Sequence, residues 1–181
     1  MSTTLIFLAG PSGVGKTSLT KLLLDLLPHP NTSISKDYYR SLIHNGKYRY
    51  DLKEEPTINT LFNDRLVSLL HSGEMKYIIL DNTHLEDTAI DDITEACKGT
   101  KYEMRIFILD PLPDDRAESF EDTARLLRRR HLNEGRQLSV EKICWQLYRM
   151  MELERVCTDA TIIKTNELSC VDIANKFLTY L

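Results

Sequence analysis

Residues 10–17 read Gly-Pro-Ser-Gly-Val-Gly-Lys-Thr and match the pattern G-x-x-x-x-G-K-[S/T] in full. At average residue usage, a chance match in a chain of this length has odds of under about one in a hundred. An apolar run precedes the pattern and an amphipathic stretch follows it, as a strand and a helix would. Glycines let several backbone N–H groups point at one phosphate, and the helix N-terminus adds the positive end of its dipole. The motif therefore predicts a phosphate-binding loop (P-loop) between the first strand and the first helix.

Short apolar runs alternate with amphipathic segments along the rest of the chain, which is typical of an α/β domain with a parallel sheet. The stretch after the second strand is polar, with a turn at Asn45-Gly46, and Gly73 is expected to end a helix. Together with the P-loop, this predicts one domain over residues 1–181, a P-loop kinase three-layer α/β/α sandwich with a mainly parallel central sheet and an arginine-bearing lid at about 125–140. Strands are expected at about 4–9, 32–35, 77–80, 104–109 and 160–163, helices at about 16–27, 57–72, 86–97 and 140–156, and further helices in the arginine-rich stretch and at the end of the chain.

The composition argues against several classes of protein. The net charge of −4 does not suit a very basic polyanion-binding protein, although a local basic patch remains compatible with it. The four cysteines form no Cys-x-x-Cys pair, so we expect free, buried or half-buried thiols in a reducing compartment rather than a zinc site. No apolar run is long enough for a signal-peptide core or a membrane span, and the protein is expected to be cytoplasmic, with no membrane partner.

The P-loop predicts ATP as the phosphate donor and Mg²⁺ as its metal ion. In this interpretation, Lys16 reaches the β- and γ-phosphates and Thr17 offers a hydroxyl to the metal. The backbone around the nucleotide would come from Gly10, Pro11, Ser12, Gly13, Val14, Gly15, Lys16, Thr17 and Ser18.

The stretch after the second strand carries a candidate for the acceptor side. A kinase that acts on a hydroxyl needs a carboxylate to orient that hydroxyl and take its proton, and Asp37 is placed to do so. Arg40, three residues on, is predicted to hold an acceptor phosphate or the transferring group. The alternative is that Asp37 caps a helix and Arg40 is a surface partner.

The third apolar strand ends at Asp81. An acidic residue at this place often holds magnesium in P-loop proteins, so Asp81 and Thr17 are the predicted metal residues. Asp81 alternatively pairs with an acceptor-side arginine such as Arg40, or merely caps the following helix. His84, three residues later, is interpreted as structural rather than catalytic.

Five arginines lie within a short span that ends beside Gly135, a possible joint. Many small kinases cover bound ATP with an arginine-bearing lid, which neutralises charge in the transition state and excludes water. We therefore expect Arg130, Arg136 or both to be catalytic. The alternatives are a solvated basic helix face paired with nearby acids, or a surface for a nucleic-acid backbone. The arginines are Arg125, Arg128, Arg129, Arg130 and Arg136.

In this order the motifs resemble those of the phage-type polynucleotide 5′-hydroxyl kinase family. The stretch Lys36-Asp37-Tyr38-Tyr39-Arg40 resembles that family's Arg-Asp-x-Tyr-Arg, with Lys36 where the family has Arg. The stretch 81–85, Asp-Asn-Thr-His-Leu, resembles its motif after the third strand, and residues 130–136 resemble its lid. The resemblance implies ATP as donor, a 5′-OH end of DNA or RNA as acceptor, Asp37 as general base, Arg40 as acceptor contact and Asp81 as an organiser of the acceptor site.

Two other functions compete with this one. A small-molecule kinase, for a nucleoside, nucleotide or sugar, is suggested because the Pro-Ser-Gly-Val-Gly-Lys loop resembles that of guanylate kinases and residues 35–40 resemble uridine-kinase-like enzymes. An ATP-binding regulatory module without turnover is the third possibility. The presence of both Asp37 and Arg40 argues against such a module, which has no need of an acceptor base.

Overall fold

Five parallel strands form the sheet in the part of the chain that the computed structural model describes, residues 2–86, 88–114, 116–132 and 138–181. Their order across the sheet is β2-β3-β1-β4-β5. The strands are β1 (Thr3–Ala9), β2 (Asn31–Ile34), β3 (Tyr77–Asp81), β4 (Tyr102–Asp110) and β5 (Thr161–Lys164).

The innermost strand is β1, hydrogen-bonded to β3 on one side and β4 on the other. Residues 5–9 have no exposed surface, because a strand with helices over both faces of its sheet is buried on both sides. In the register of the sheet, Leu8 lies opposite Asp81. The P-loop, which begins at Gly10, therefore leaves the sheet at the same edge at which β3 ends.

The helices lie on both sides of the sheet. The connection from β1 to β2 runs one way across the sheet and those from β2 to β3 and β3 to β4 run the other way, so right-handed crossovers place α1 on one face and α3 and α4 on the other. In agreement, α1 packs against α7 and α3 against α4. The described helices are α1 (Lys16–Leu26), α2 (Lys36–Ile43), α3 (Glu55–Ser72), α4 (Ala89–Ala96), α5 (Arg116–Leu132), α6 (Val140–Val156) and α7 (Cys170–Leu178).

The predicted α/β sandwich with a parallel sheet is confirmed, and most of the expected elements lie within two residues of their predicted bounds. Gly73 ends α3 with a left-handed φ of 63°, and the Asn45-Gly46 turn has φ values of 53° and 87°. The helix expected at 86–97 is shorter, since α4 begins only at Ala89. The four cysteines are free thiols, and Cys97 is buried, as predicted.

One helix was not predicted. The polar stretch after β2 contains α2, which begins directly after Ser35. The Ser35 side chain accepts a hydrogen bond from the backbone N–H of Tyr38 and so caps the helix. Only Tyr39 in this helix is buried, so the apolar periodicity that reveals longer helices is missing.

Among the described residues, every helix is too short or too polar to cross a membrane.

Candidate phosphate-donor and acceptor sites

The P-loop has the backbone conformation that an anion cradle requires. Gly10, Gly13 and Gly15 have φ values of 153°, 80° and 102°, a region that residues with a Cβ rarely adopt. Gly15 is the N-cap residue of α1, and no described side chain caps that end. A helix N-terminus without a side-chain cap is a favourable place for a phosphate to bind.

Lys16 lies inside the loop and is only 9% exposed. Its Nζ donates to the carbonyl oxygens of Gly10 at 2.8 Å and of Pro11 at 2.9 Å. The ammonium charge is thereby held against the loop, where it would meet the outer phosphates of a nucleotide. The following residue, Thr17, is exposed at the start of α1, so its hydroxyl is accessible to a metal ion.

Two distant helices hold the P-loop in place. A Cβ added to Gly13 would lie 2.4 Å from the carbonyl oxygen of Leu127 in α5, so the two backbones are in direct contact. In addition, the backbone N–H of Ser12 donates to Oε1 of Gln146 in α6 at 2.9 Å. Gln146 is 6% exposed and was not among the predicted site residues.

The Gly13→Ala variant is expected to bind ATP much more weakly than the wild type, because its Cβ would collide with Leu127 backbone and its φ is left-handed. Gly99→Ala is a matched control: it introduces similar backbone strain outside the P-loop, and nothing lies within 4 Å of the added Cβ. Calorimetric titration with Mg-ATP should show a loss of affinity of at least about tenfold more for Gly13→Ala than for Gly99→Ala. Equal affinities would show that the contact with α5 does not shape the loop.

Arg130 is the described lid arginine that lies beside the P-loop. It lines a cavity of about 240 Å³ together with Gly15, Ser18, Thr165 and Leu168, among others. The lid role of Arg130 stays a prediction. Arg136, the other candidate, lies outside the described residues.

A second part of the arginine-rich helix behaves as a solvated face. Arg125 is exposed and pairs with two nearby acids, Glu121 at 2.7 Å and Asp122 at 3.6 Å. The solvated-face interpretation is therefore confirmed for Arg125.

Asp37, Arg40 and Glu55 form one ionic cluster at the start of α2 and α3. Arg40 makes a bidentate pair with Glu55, with its Nε and Nη2 2.8 and 2.7 Å from the two carboxylate oxygens, and its Nη1 also donates to Asp37. Burial of Arg40 acts to lower the pKa of its guanidinium. The carboxylates of Glu55 and Asp37 outweigh this effect and raise the pKa above its ordinary value. Asp37 lies in the first turn of α2, and Ser35 rather than Asp37 caps the helix, so the capping alternative is wrong.

The pair of Arg40 with Glu55 was not visible in the sequence. It depends on α3 beginning where it does, with Glu55 as its first residue. The bidentate geometry fixes the guanidinium plane and leaves Asp37 at the outer end of the cluster, with about a third of its side chain exposed (33%). An accessible carboxylate held by a half-buried arginine is suited to orienting a hydroxyl group.

Asp81 is half-buried at the carboxyl end of β3, beside Leu8 and thus next to the strand that enters the P-loop. It lies on the same edge of the sheet as Thr17 at the start of α1. Carboxylate and hydroxyl oxygens suit Mg²⁺, and the P-loop amides with Lys16 suit a triphosphate. The donor set of this edge therefore fits Mg-ATP.

His84 is buried and has a left-handed φ of 51°. Its ring stacks on Phe7 with a centroid distance of 4.1 Å. Burial lowers the pKa of the imidazole to about 3; a hydrogen bond to Leu8 opposes this shift, and the charges of Lys36 and Lys16 add to it. The ring is thus neutral at physiological pH, which agrees with a structural role.

This pKa predicts a specific loss of stability in acid. In the unfolded chain His84 binds a proton below its ordinary pKa of 6.5, whereas in the folded protein it does so only below about 3. Between these values the unfolded state holds more protons, so the free energy of unfolding falls as the pH falls. Urea titrations at several pH values between about 6 and 4 give the free energy of unfolding as a function of pH. The slope of this free energy against pH should be smaller by about 1 kcal/mol per pH unit in His84→Asn than in the wild type. The exposed His71→Asn is the control, and equal slopes in His84→Asn and the wild type would contradict the assignment.

Comparison with known proteins gives one family and one fold. A family model described as "AAA domain" matches residues 5–150. No curated protein sequence matches the chain. Solved structures with a similar fold include a gluconokinase from Sinorhizobium meliloti 1021, at 14% identity and a TM-score of 0.60 over 98% of this chain and 90% of that one. A tunicamycin resistance protein from Deinococcus radiodurans is 20% identical, with a TM-score of 0.65 over 98% of this chain and 95% of that one.

A chain of the Pnkp1/Rnl/Hen1 RNA repair complex is similar as well, at 14% identity and a TM-score of 0.71. The alignment covers 93% of the present chain but 50% of that one, so this chain spans about half its length. Identities this low show the fold alone, which is the α/β fold of P-loop kinases.

Proposed function

Since the chain belongs to the AAA domain family, we propose that it is an ATP-dependent kinase that transfers the γ-phosphoryl group to the 5′-hydroxyl of a polynucleotide. The domain would span residues 1–181 with a lid at about 125–140, and its four free thiols suit the reducing cytoplasm. The observation that carries the proposal is an accessible carboxylate, Asp37, on the sheet edge that also bears the P-loop.

On the donor side, the P-loop amides and Lys16 hold the β- and γ-phosphates. Mg²⁺ bound with the nucleotide would supply positive charge that offsets the charge of these phosphates. Thr17 and Asp81 are the residues that would hold the metal, Thr17 through its hydroxyl and Asp81 directly or through water. Arg130, beside the P-loop, and Arg136 would neutralise the charge that develops on the transferring group.

On the acceptor side, Asp37 orients the hydroxyl and takes its proton as the new bond between oxygen and the γ-phosphorus forms. The bond from that phosphorus to the bridging oxygen breaks, and ADP leaves. Arg40 holds Asp37 in place from behind, since Glu55 fixes the guanidinium through two hydrogen bonds. The donors of Arg40 that these pairs do not use remain for an acceptor phosphate.

A basic and aromatic surface favours a polynucleotide over a small acceptor. Residues 47–53, which connect α2 to α3, read Lys-Tyr-Arg-Tyr-Asp-Leu-Lys and are exposed apart from the partly buried Asp51. Tyr50 is 55% exposed, and its ring centroid lies 5.3 Å from the guanidinium carbon of Arg40, so the segment reaches the arginine that is bonded to Asp37. Interleaved basic and aromatic side chains bind single strands by phosphate contacts and base stacking. A likeness in fold to a chain of an RNA repair complex is compatible with such an acceptor.

The experiment is phosphoryl transfer from labelled ATP with Mg²⁺, with the acceptors offered side by side. A 5′-OH oligonucleotide of DNA or RNA should become labelled, whereas the same oligonucleotide with a 5′-phosphate should not. The rate should rise with acceptor length from a nucleoside to a short oligonucleotide and fall with added salt.

The other outcomes identify the competing functions. Label on nucleosides, nucleotides or sugars but not on oligonucleotides would replace this proposal with a small-molecule kinase. Binding of ATP without label on any acceptor would favour a regulatory module. The double variant Tyr48→Ala/Tyr50→Ala adds a control, since it should raise KM for an oligonucleotide and leave KM for ATP unchanged.

A further inference from the structure

Three hydrogen bonds form a continuous chain from the strand below the P-loop to the helix that carries Asp37. The Nδ1 of His84 donates to the carbonyl oxygen of Leu8 in β1, at 3.0 Å. The Nε2 of His84 lies 3.1 Å from Nδ2 of Asn82. Finally, the backbone N–H of Lys36, the first residue of α2, donates to Oδ1 of Asn82 at 2.8 Å.

The directions of these bonds are mutually consistent in only one protonation state of the ring. A carbonyl oxygen can only accept, so Nδ1 of His84 must carry the proton. Nε2 is then the acceptor in a neutral imidazole and takes its hydrogen bond from the amide NH₂ of Asn82. This in turn orients the amide oxygen of Asn82 toward Lys36. A protonated His84 would set two donors against each other.

The backbone supports the same arrangement at a cost in strain. His84 holds a left-handed φ of 51°, a conformation that is uncommon for residues other than glycine and that persists only where surrounding contacts impose it. Here the stack on Phe7 and the bond to Leu8 impose it. The neighbouring Thr83 accepts a hydrogen bond at 3.1 Å from the N–H of Gly10, the first residue of the P-loop. The loop after β3 thus contacts the donor side and the acceptor side at once.

We propose that Asn82 and His84 are positioning residues for phosphoryl transfer, which set the start of α2, and with it Asp37, relative to the P-loop. The proposal rests on the proposed function, because it assigns Asp37 to the acceptor hydroxyl. The pair of Arg40 with Glu55 ties α2 to α3, whereas the hydrogen-bonded chain ties it to β1. Only the second of these fixes the acceptor carboxylate against the donor loop.

The test compares variants within this chain of hydrogen bonds. Asn82→Leu keeps a similar volume but removes both hydrogen bonds of the side chain, and a carboxylate displaced by about 1 Å is expected to lower kcat at least about tenfold. KM for ATP should stay within about twofold, since no donor-side contact is changed. Thr88→Ala, which removes an exposed bond to Asp92 farther along the same connection, is the matched control and should leave kcat unchanged.

His84 is tested by two replacements. His84→Asn retains an N–H donor and tolerates a left-handed φ, so it should keep more activity than His84→Phe, which retains the stack but has no hydrogen-bonding atom. Hydrogen exchange of the Lys36 amide provides a readout that does not depend on turnover. Exchange at this amide should be faster in Asn82→Leu than in the wild type or Thr88→Ala.

The outcomes separate this proposal from the proposed function. Transfer by the wild type with unchanged kcat in Asn82→Leu would overturn the positioning role and leave the kinase assignment intact. If Asn82→Leu merely lost stability, its melting temperature would fall but kcat would be unchanged at a temperature where the variant is folded. This result too would overturn the positioning role. If the wild type transferred no phosphate, hydrogen exchange of the Lys36 amide would still test the hydrogen bond to Asn82. An amide as well protected in Asn82→Leu as in the wild type would refute the role of Asn82 in fixing the start of α2.

Discussion

Replacing Asp37 with Asn is expected to lower kcat for phosphoryl transfer at least about a hundredfold, while ATP affinity stays close to that of the wild type. The amide oxygen of Asn can still accept the hydrogen bond from Arg40 Nη1 and has nearly the same shape, so the cluster with Glu55 should persist. What is lost is the negative charge and the ability to take a proton from the acceptor hydroxyl.

The measurement is steady-state transfer to a 5′-OH oligonucleotide, with ATP affinity determined separately by calorimetry. Asp64→Asn is the control, because it removes a carboxylate from an exposed position of α3 away from the cluster. Normal turnover in Asp37→Asn would remove Asp37 from the role of general base. Loss of ATP binding in the same variant would show that Asp37 supports the fold of the donor site instead.

The second large effect is expected for Lys16→Ala. Its ammonium is buried in the P-loop and bonded to the carbonyl oxygens of Gly10 and Pro11, so the variant loses a charge next to the phosphates and two bonds that close the loop. Removal of a single preorganised donor of this kind lowers kcat by about a hundredfold to a thousandfold, and ATP affinity should fall as well.

Calorimetry with Mg-ATP tests this directly. The wild type should give a heat of binding that is absent or strongly reduced in Lys16→Ala. Lys21→Ala, which changes an exposed lysine of the same helix, should bind as the wild type does. If Lys16→Ala bound Mg-ATP with undiminished heat, residues 10–17 would not be the donor site.

The parts that the sequence predicted well are those with a strong local pattern. The P-loop depends on residue types that are contiguous in the chain, and α6 was predicted at residues 140–156, the bounds observed. The placement of Asp37 and Asp81 on the P-loop edge followed from the rule that parallel strands end together.

The remainder of the candidate site depends on contacts between distant residues. The bond from Ser12 to Gln146 joins positions 134 residues apart, and the contact of Gly13 with Leu127 involves a backbone carbonyl, which leaves no trace in residue types. The short helix α2 lacks an apolar periodicity. Its cap at Ser35 is a local bond to Tyr38, but its tie to Asn82 forms only because β2 and β3 lie side by side.

The donor and acceptor parts of the candidate site follow strands that differ in local stability. The P-loop follows β1, the central strand of the sheet, whereas α2 follows β2, a four-residue strand at its edge. Marginal strands fray at lower free energy than central ones. At urea concentrations below the cooperative unfolding transition, the rate of phosphoryl transfer should therefore fall before the affinity for nucleotide does. The reason is that β2 and α2 unfold locally while the P-loop is still folded.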